Sequence, residues 1–166
     1  MESTVNIRLD LSGLDKIKRA CQVLSENVIH SGVIDADEET MRAAMLNEYG
    51  GETEYEESPY KGEKVMVPPR SFVRAPAELK AAEAFSKAEG ILKKGLTEEN
   101  AQAAIESVGI DIEEAQTKAL YTNGSGIPNW VPHNDPRTIA IKGFDKPLWS
   151  RRGETFPITH KIVRKK

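Results

Sequence analysis

The stretch Val65-Met66-Val67-Pro68-Pro69-Arg70-Ser71-Phe72-Val73-Arg74-Ala75-Pro76 decides how the 166-residue chain is read. Val65-Met66-Val67 predicts a short apolar strand, and Pro68-Pro69 closes it, since proline has no N–H to give a ladder. Pro76 suits the first turn of a helix, where its missing N–H would be unpaired anyway. A strand therefore hands over to a long helix. Leu79, Ala82, Phe85, Ala88 and Ile91/Leu92 line one face of that helix, and Gly95 ends it. Thr97-Glu98-Glu99-Asn100 caps a further helix with a face of Ala101, Ala104, Ile105, Val108, Ile112, Ala115 and Ala119. Gly109 inside that pattern marks a place for a kink or short break. So short a connection predicts an antiparallel helical hairpin.

Working outward, Val5, Ile7, Leu9 and Leu11 alternate with Asn6, Arg8 and Asp10, the period of a half-buried strand, and Ser12-Gly13 breaks it. Leu14, Ile17, Cys21, Leu24 and Val28 then recur at helical spacing, with Cys21 read as a packing residue of the stripe. Residues 30–34 read as a short strand. Asp37 looks like the N-cap of a helix through Met41, Ala44, Met45 and Leu46 to Tyr49, stopped by Gly50-Gly51. Residues 52–64 are acidic and interrupted by Pro59 and Gly62, which predicts an exposed loop or hairpin. Residues 123–150 are dense in Gly and Pro and read as an extended arm with at most one short helical turn near 136–141. Phe156, Ile158, His160 and Ile162 alternate into a last strand before a basic tail. The expected fold is α+β over a single domain, 1–166: a small, mainly antiparallel sheet packed against helices, a long helical hairpin and an extended C-terminal arm. On this reading a chain cut before Asn129 should still fold.

Composition narrows the function. Apolar residues make up 39% and charged residues 30%, and no apolar run approaches membrane-spanning length. The residues after Met1 carry neither a basic nor an apolar leader, so no signal peptide is expected. One cysteine allows no internal disulfide and no zinc site by itself, in keeping with a reducing cytoplasm. His30, His133 and His160 fall in three separate elements without metal-ligand spacing, and His160 lies in phase with an apolar stripe. There is no nucleophile elbow or phosphate loop, and the carboxylates of residues 52–57 sit in a solvated run unsuited to acid–base work. The sequence therefore predicts no enzyme, no cofactor and no metal.

The net charge of −3 conceals an uneven distribution. Residues 35–63 hold ten acids against two bases, and residues 137–166 hold nine bases against two acids. Such opposite patches predict association, either with each other on neighbouring copies or as separate solvated faces. The basic end, with Arg151, Arg152, Lys161, Arg164, Lys165 and Lys166, would serve a small nucleic-acid-binding regulator, although no helix-turn-helix or zinc-finger spacing accompanies it. Trp130 and Trp149 read equally well as interface anchors or as caps on the chain's own core.

Two segments carry a resemblance. Asn47-Glu48-Tyr49-Gly50, followed by Val67-Pro68-Pro69-Arg70-Ser71-Phe72-Val73-Arg74, resembles the "E-[F/Y]-G … [I/V]-P-x-R-x-F-[L/V]-R" signature of bacteriophage tail-completion and virion-morphogenesis proteins. Pro136-Arg137-Thr138-Ile139-Ala140-Ile141-Lys142-Gly143-Phe144-Asp145-Lys146-Pro147-Leu148 is similar to that family's "P-x-T-I-x-x-K-G-x-x-K-P-L". In the strand that follows, Gly153, Ile158, Thr159 and Val163 fit the family pattern, whereas Arg152, Phe156, Pro157 and His160 depart from it.

The resemblance implies a non-enzymatic virion protein of the neck, assembled in the host cytoplasm. It would complete the tail and join it to the head connector as a homo-oligomeric ring. Six-fold symmetry is the simplest expectation for a part that matches a tail tube. The implied partners are further copies of itself, the adjacent connector and the tail tube or terminator proteins. DNA would pass through the lumen without sequence-specific binding, and no membrane is involved. A tail-terminator ring capping the tube is the neighbouring alternative. Under this reading the interface candidates are Glu54, Glu56, Glu57, Arg70, Phe72, Arg74, Trp130, Lys142, Lys146, Leu148, Trp149, Arg151 and Arg152. Phe72 would anchor the long helix to the sheet, and Arg70 would hold the fold by an ion pair or contact the next copy.

Overall fold

In the computed structural model residues 12–165 are described. Their elements run α1 (Ser12–Glu26), β1 (Asn27–Gly32), α2 (Glu38–Tyr49), β2 (Gly51–Glu54), β3 (Lys64–Val67), α3 (Arg74–Leu92), α4 (Glu98–Tyr121), α5 (Pro136–Lys142) and β4 (Thr159–Arg164). The class is α+β. The strand expected over residues 5–11 lies outside the described residues.

Local signals set the helix ends. The Asp37 carboxylate accepts from the Thr40 N–H at 2.8 Å, and the Gly50 N–H closes α2 on the Leu46 carbonyl. Thr97 caps α4 through the Asn100 N–H at 3.2 Å, and Asp135 caps α5, whose first residue is Pro136. The acidic segment forms a hairpin in which β2 and β3 pair antiparallel, Thr53 opposite Val65 and Glu54 opposite Lys64. The second sheet pairs β1 with β4, also antiparallel, with Ile29 opposite Ile162 and Ser31 opposite His160. Among the described residues the sheet is thus two separate two-stranded ribbons.

The helical hairpin of α3 and α4 is present, and Ala88, Ile91 and Leu92 of the expected stripe pack into it, but the bulky residues nearer the start of α3 do not. Ala84, Ala88, Ala104 and Val108 form the contact, whereas Leu79 and Phe85 are 60% and 63% exposed. Small side chains let two helix backbones approach closely, and the alanines permit this here. Helix α3 also ends at Leu92, before Gly95. In α1 the outcome is similar. It begins at Ser12, ends at Glu26 and leaves Val28 in β1; Ala20 is its buried residue, while Leu14, Ile17 and Cys21 are exposed.

Gly109 does not break α4, which runs uninterrupted through it. It makes room instead, for His160 of β4 packs where a side chain would stand. Gly124 does the same at the start of the arm: at φ +71° it lies under the Trp130 ring, and any Cβ would come within 1.9 Å of it.

The arm belongs to the core. Phe72, Leu120, Ala44 and Leu148 form one buried cluster, against which Trp130, Phe156 and Ile158 pack. The Phe72 and Phe156 rings stack with centroids 5.1 Å apart. A chain cut before Asn129 would lose four of these side chains, so the expectation that it folds alone does not hold.

Candidate functional site

The residues of the two quoted segments meet at the junction where α2 ends and α3 begins. Val73 holds the N-cap position of α3 and has no side chain able to cap it. Glu48, on the last turn of α2 and 4% exposed, takes that part from a distance. Its carboxylate accepts from the Val73 N–H at 2.9 Å, the Arg74 N–H and Nε at 3.1 Å each, and the Ser71 hydroxyl at 2.7 Å. A carboxylate at a helix N-terminus satisfies orphan donors and meets the positive end of the helix dipole. Arg74 also lies over the Tyr49 ring, 4.8 Å from its centroid.

Arg70 is buried beside this junction at 3% exposure. Its own N–H donates to the Asn47 carbonyl, while Nε and Nη2 donate to the Val131 and His133 carbonyls at 2.9 and 2.7 Å. Burial pushes its guanidinium below the ordinary arginine range, with the Asp145 charge opposing. Arg70 therefore latches the arm to the domain through backbone carbonyls rather than through an ion pair. Phe72 anchors α3, reaching the α2–α4–arm cluster rather than either sheet.

The second quoted segment builds α5 and the turn after it. Gly143 closes α5 in the left-handed conformation on the Ile139 carbonyl. Lys142 Nζ donates to the Lys146 carbonyl at 2.9 Å. Burial, and then the neighbouring Arg70 charge, lower the Lys142 pKa to about 8. Lys146 Nζ sits 3.3 Å from the centroid of the Trp149 ring, and Trp149 Nε1 donates to the Leu120 carbonyl at 3.4 Å. Leu148 is buried. Both tryptophans pack on their own chain, with Trp130 Nε1 donating to Asn123 Oδ1.

Acidic and basic segments meet within one chain at several points. Arg137 pairs with Glu63 at 3.0 Å and with Asp135, whose carboxyl the Arg137 guanidinium holds down at about 2. Tyr55 on the hairpin hydrogen-bonds Asp135 and Thr138 of the arm. Arg151 reaches Glu57 at 3.4 Å, Lys161 pairs with Asp35, and Arg164 pairs with Glu26. Glu54, Glu56 and Arg152 stand exposed.

A cleft of about 880 Å³ opens beside α5, lined by Arg70, Lys142, Asp135 and Trp149 among others. Its two cations already donate to main-chain carbonyls, so the groups here position chain segments. Among the described residues no three His, Cys, Asp or Glu side chains are placed to hold a metal ion. No described helix is long and apolar enough to cross a membrane.

Two residues carry more of this site than their residue types announce. Glu48 stands in the first quoted segment, yet its role depends on α3 arriving beside it. Asp135 carried one local signal, its place just before Pro136, which marks a helix start.

The chain matches no family model, no curated protein and no solved structure.

Proposed function

We propose that this protein is a structural component of the neck of a tailed bacteriophage. It completes the tail and joins it to the head connector as a homo-oligomeric ring around the DNA path. The observation that carries the reading is the convergence of the two resembling segments at one junction: Glu48 caps α3, and Phe72 of the first segment shares a buried cluster with Leu148 of the second. Motif residues that hold segments together, with their polar atoms turned to backbone groups, suit a part whose work is shape. A closed ring needs two different surfaces that meet on successive copies. The exposed acidic hairpin supplies one, and the face carrying Arg152 supplies a candidate for the other. An acidic lumen would repel phosphates and let DNA slide.

The basic end argues against the regulator alternative, because Lys161 and Arg164 already pair with Asp35 and Glu26. The test is the mass of the purified protein by light scattering, at low and moderate salt, alone and with its neighbouring tail proteins. A closed multimer, alone or with a partner, is the expected result. A monomer under every condition that binds duplex DNA, with affinity falling steeply as salt rises, overturns the proposal.

A further inference from the structure

Lys142, on the last turn of α5, lines the 880 Å³ cleft together with Arg70 and the apolar side chains of Val65, Pro68, Leu148 and Phe156. Its side chain is half-buried. The nitrogen donates to the Lys146 carbonyl at 2.9 Å and stands 5.1 Å from the centroid of the Phe144 ring. Two charged groups bear on it: the Arg70 guanidinium, which repels an ammonium, and the Asp145 carboxylate, which attracts one. Burial outweighs both and works in the same direction as Arg70. The site therefore favours any form of this nitrogen that carries no charge. A lysine that is desolvated, or set beside another cation, is also the nucleophilic kind.

We propose that Lys142 is an acylation site, its amine taking the acyl group of a small, uncharged thioester. The nitrogen lone pair attacks the thioester carbonyl carbon. An N–C bond forms, the C–S bond breaks with its electron pair on sulfur, and the thiol leaves with the proton that the nitrogen sheds. The product suits its surroundings. An amide keeps one N–H, which is all that the bond to the Lys146 carbonyl requires. It carries no charge, so the repulsion from Arg70 ends; a protonated imine, formed with an aldehyde instead, would stay cationic and keep it. The apolar part of the cleft wall is there to take the acyl chain. Asp35, Asp37 and Glu39 line the same cleft and select against an anionic donor. The inference is independent of the ring reading and stands or falls without it.

The test incubates the full chain with N,S-diacetylcysteamine, an uncharged acetyl thioester, from about pH 7 to about pH 10, and follows each lysine by mass spectrometry. At pH 8 Lys142 is expected to be acetylated at least about fivefold faster than the median of the exposed lysines. Its rate should level off above about pH 9 while theirs goes on rising, because its pKa of about 8 lies below the ordinary 10.5. A smaller ratio, or a Lys142 rate still rising at pH 10, overturns the proposal. As a second readout, the full chain is made with acetyllysine in place of Lys142. Its Tm at pH 7 is expected to exceed that of the natural chain by about 2–4 °C, and an equal or lower Tm overturns the proposal.

Discussion

His160 packs so closely on Gly109 that a Cβ at residue 109 would stand 2.3 Å from the imidazole Cδ2. The ring has little freedom to withdraw. Its Nδ1 lies 2.6 Å from Glu113 Oε2 and its Nε2 3.2 Å from Glu106 Oε1, and the His160 N–H also donates to Glu113. One strand residue is thus fastened to α4 by two carboxylates across a gap that only glycine leaves open.

Gly109→Ala tests this contact through its sign. In an exposed helix the change stabilises by about 1 kcal/mol. Here overpacking against a pinned ring is expected to destabilise by about 1–3 kcal/mol, measured as a lower urea midpoint. A stabilised variant would show that β4 does not sit on α4 as described.

The same histidine gives a pH signature. Burial of the ring opposes its protonation, but hydrogen bonds with Glu113 and Glu106 outweigh this and raise the pKa above its ordinary 6.5. A raised folded pKa means that the stabilisation is fully present below the unfolded value and is lost as pH rises through the folded one. As pH rises from the ordinary 6.5 through the raised folded value, Tm should therefore fall more in the natural chain than in His160→Gln. Parallel profiles would remove the coupling.

Glu48 is the buried charge on which the start of α3 depends. Glu48→Ala leaves the Val73 N–H and the Ser71 hydroxyl without their acceptor, and about 3 kcal/mol of stability should go with it. Arg74→Ala, which removes the 56% exposed partner of the same ion pair, should lose less than about 1 kcal/mol. Equal losses in urea titrations would mean that the pair, not the cap, is what matters.

Lys142 shifts stability the other way with pH. Its folded pKa of about 8 lies below the ordinary 10.5, so between those values the unfolded chain binds more protons. Stability should rise with pH through that window, relative to a Lys142→Met chain measured beside it. A flat difference would place the amine in solvent.

The acidic hairpin bears on assembly. Reversing Glu54, Glu56 and Glu57 to lysine should leave the circular dichroism spectrum unchanged, since the pair they interrupt, Arg151–Glu57, is exposed on both sides. The multimer mass by light scattering should fall. An unchanged mass would remove the hairpin from the interface.

Legible in the residues alone are the α+β class, the hairpin of α3 and α4 and the caps at Asp37 and Thr97, while residues 52–64 stay open between a loop and a hairpin and the arm is given at most one short helical turn. Each of these signals works over about four residues: a cap bonds the N–H two or three residues on, and a proline or glycine acts on its own backbone. Only the tertiary structure decided which faces are buried and what the functional residues touch. Leu79, Phe85, Leu14 and Ile17 belong to apolar stripes, but burial depends on where a neighbour can approach, and on α3 that takes in Ala84, Ala88, Ile91 and Leu92 and leaves Leu79 and Phe85 outside. Glu48 caps a helix beginning 26 residues after it, and Gly109 is glycine because of a ring 51 residues away. Such pairings arise from packing across the chain, and local periodicity carries no record of them.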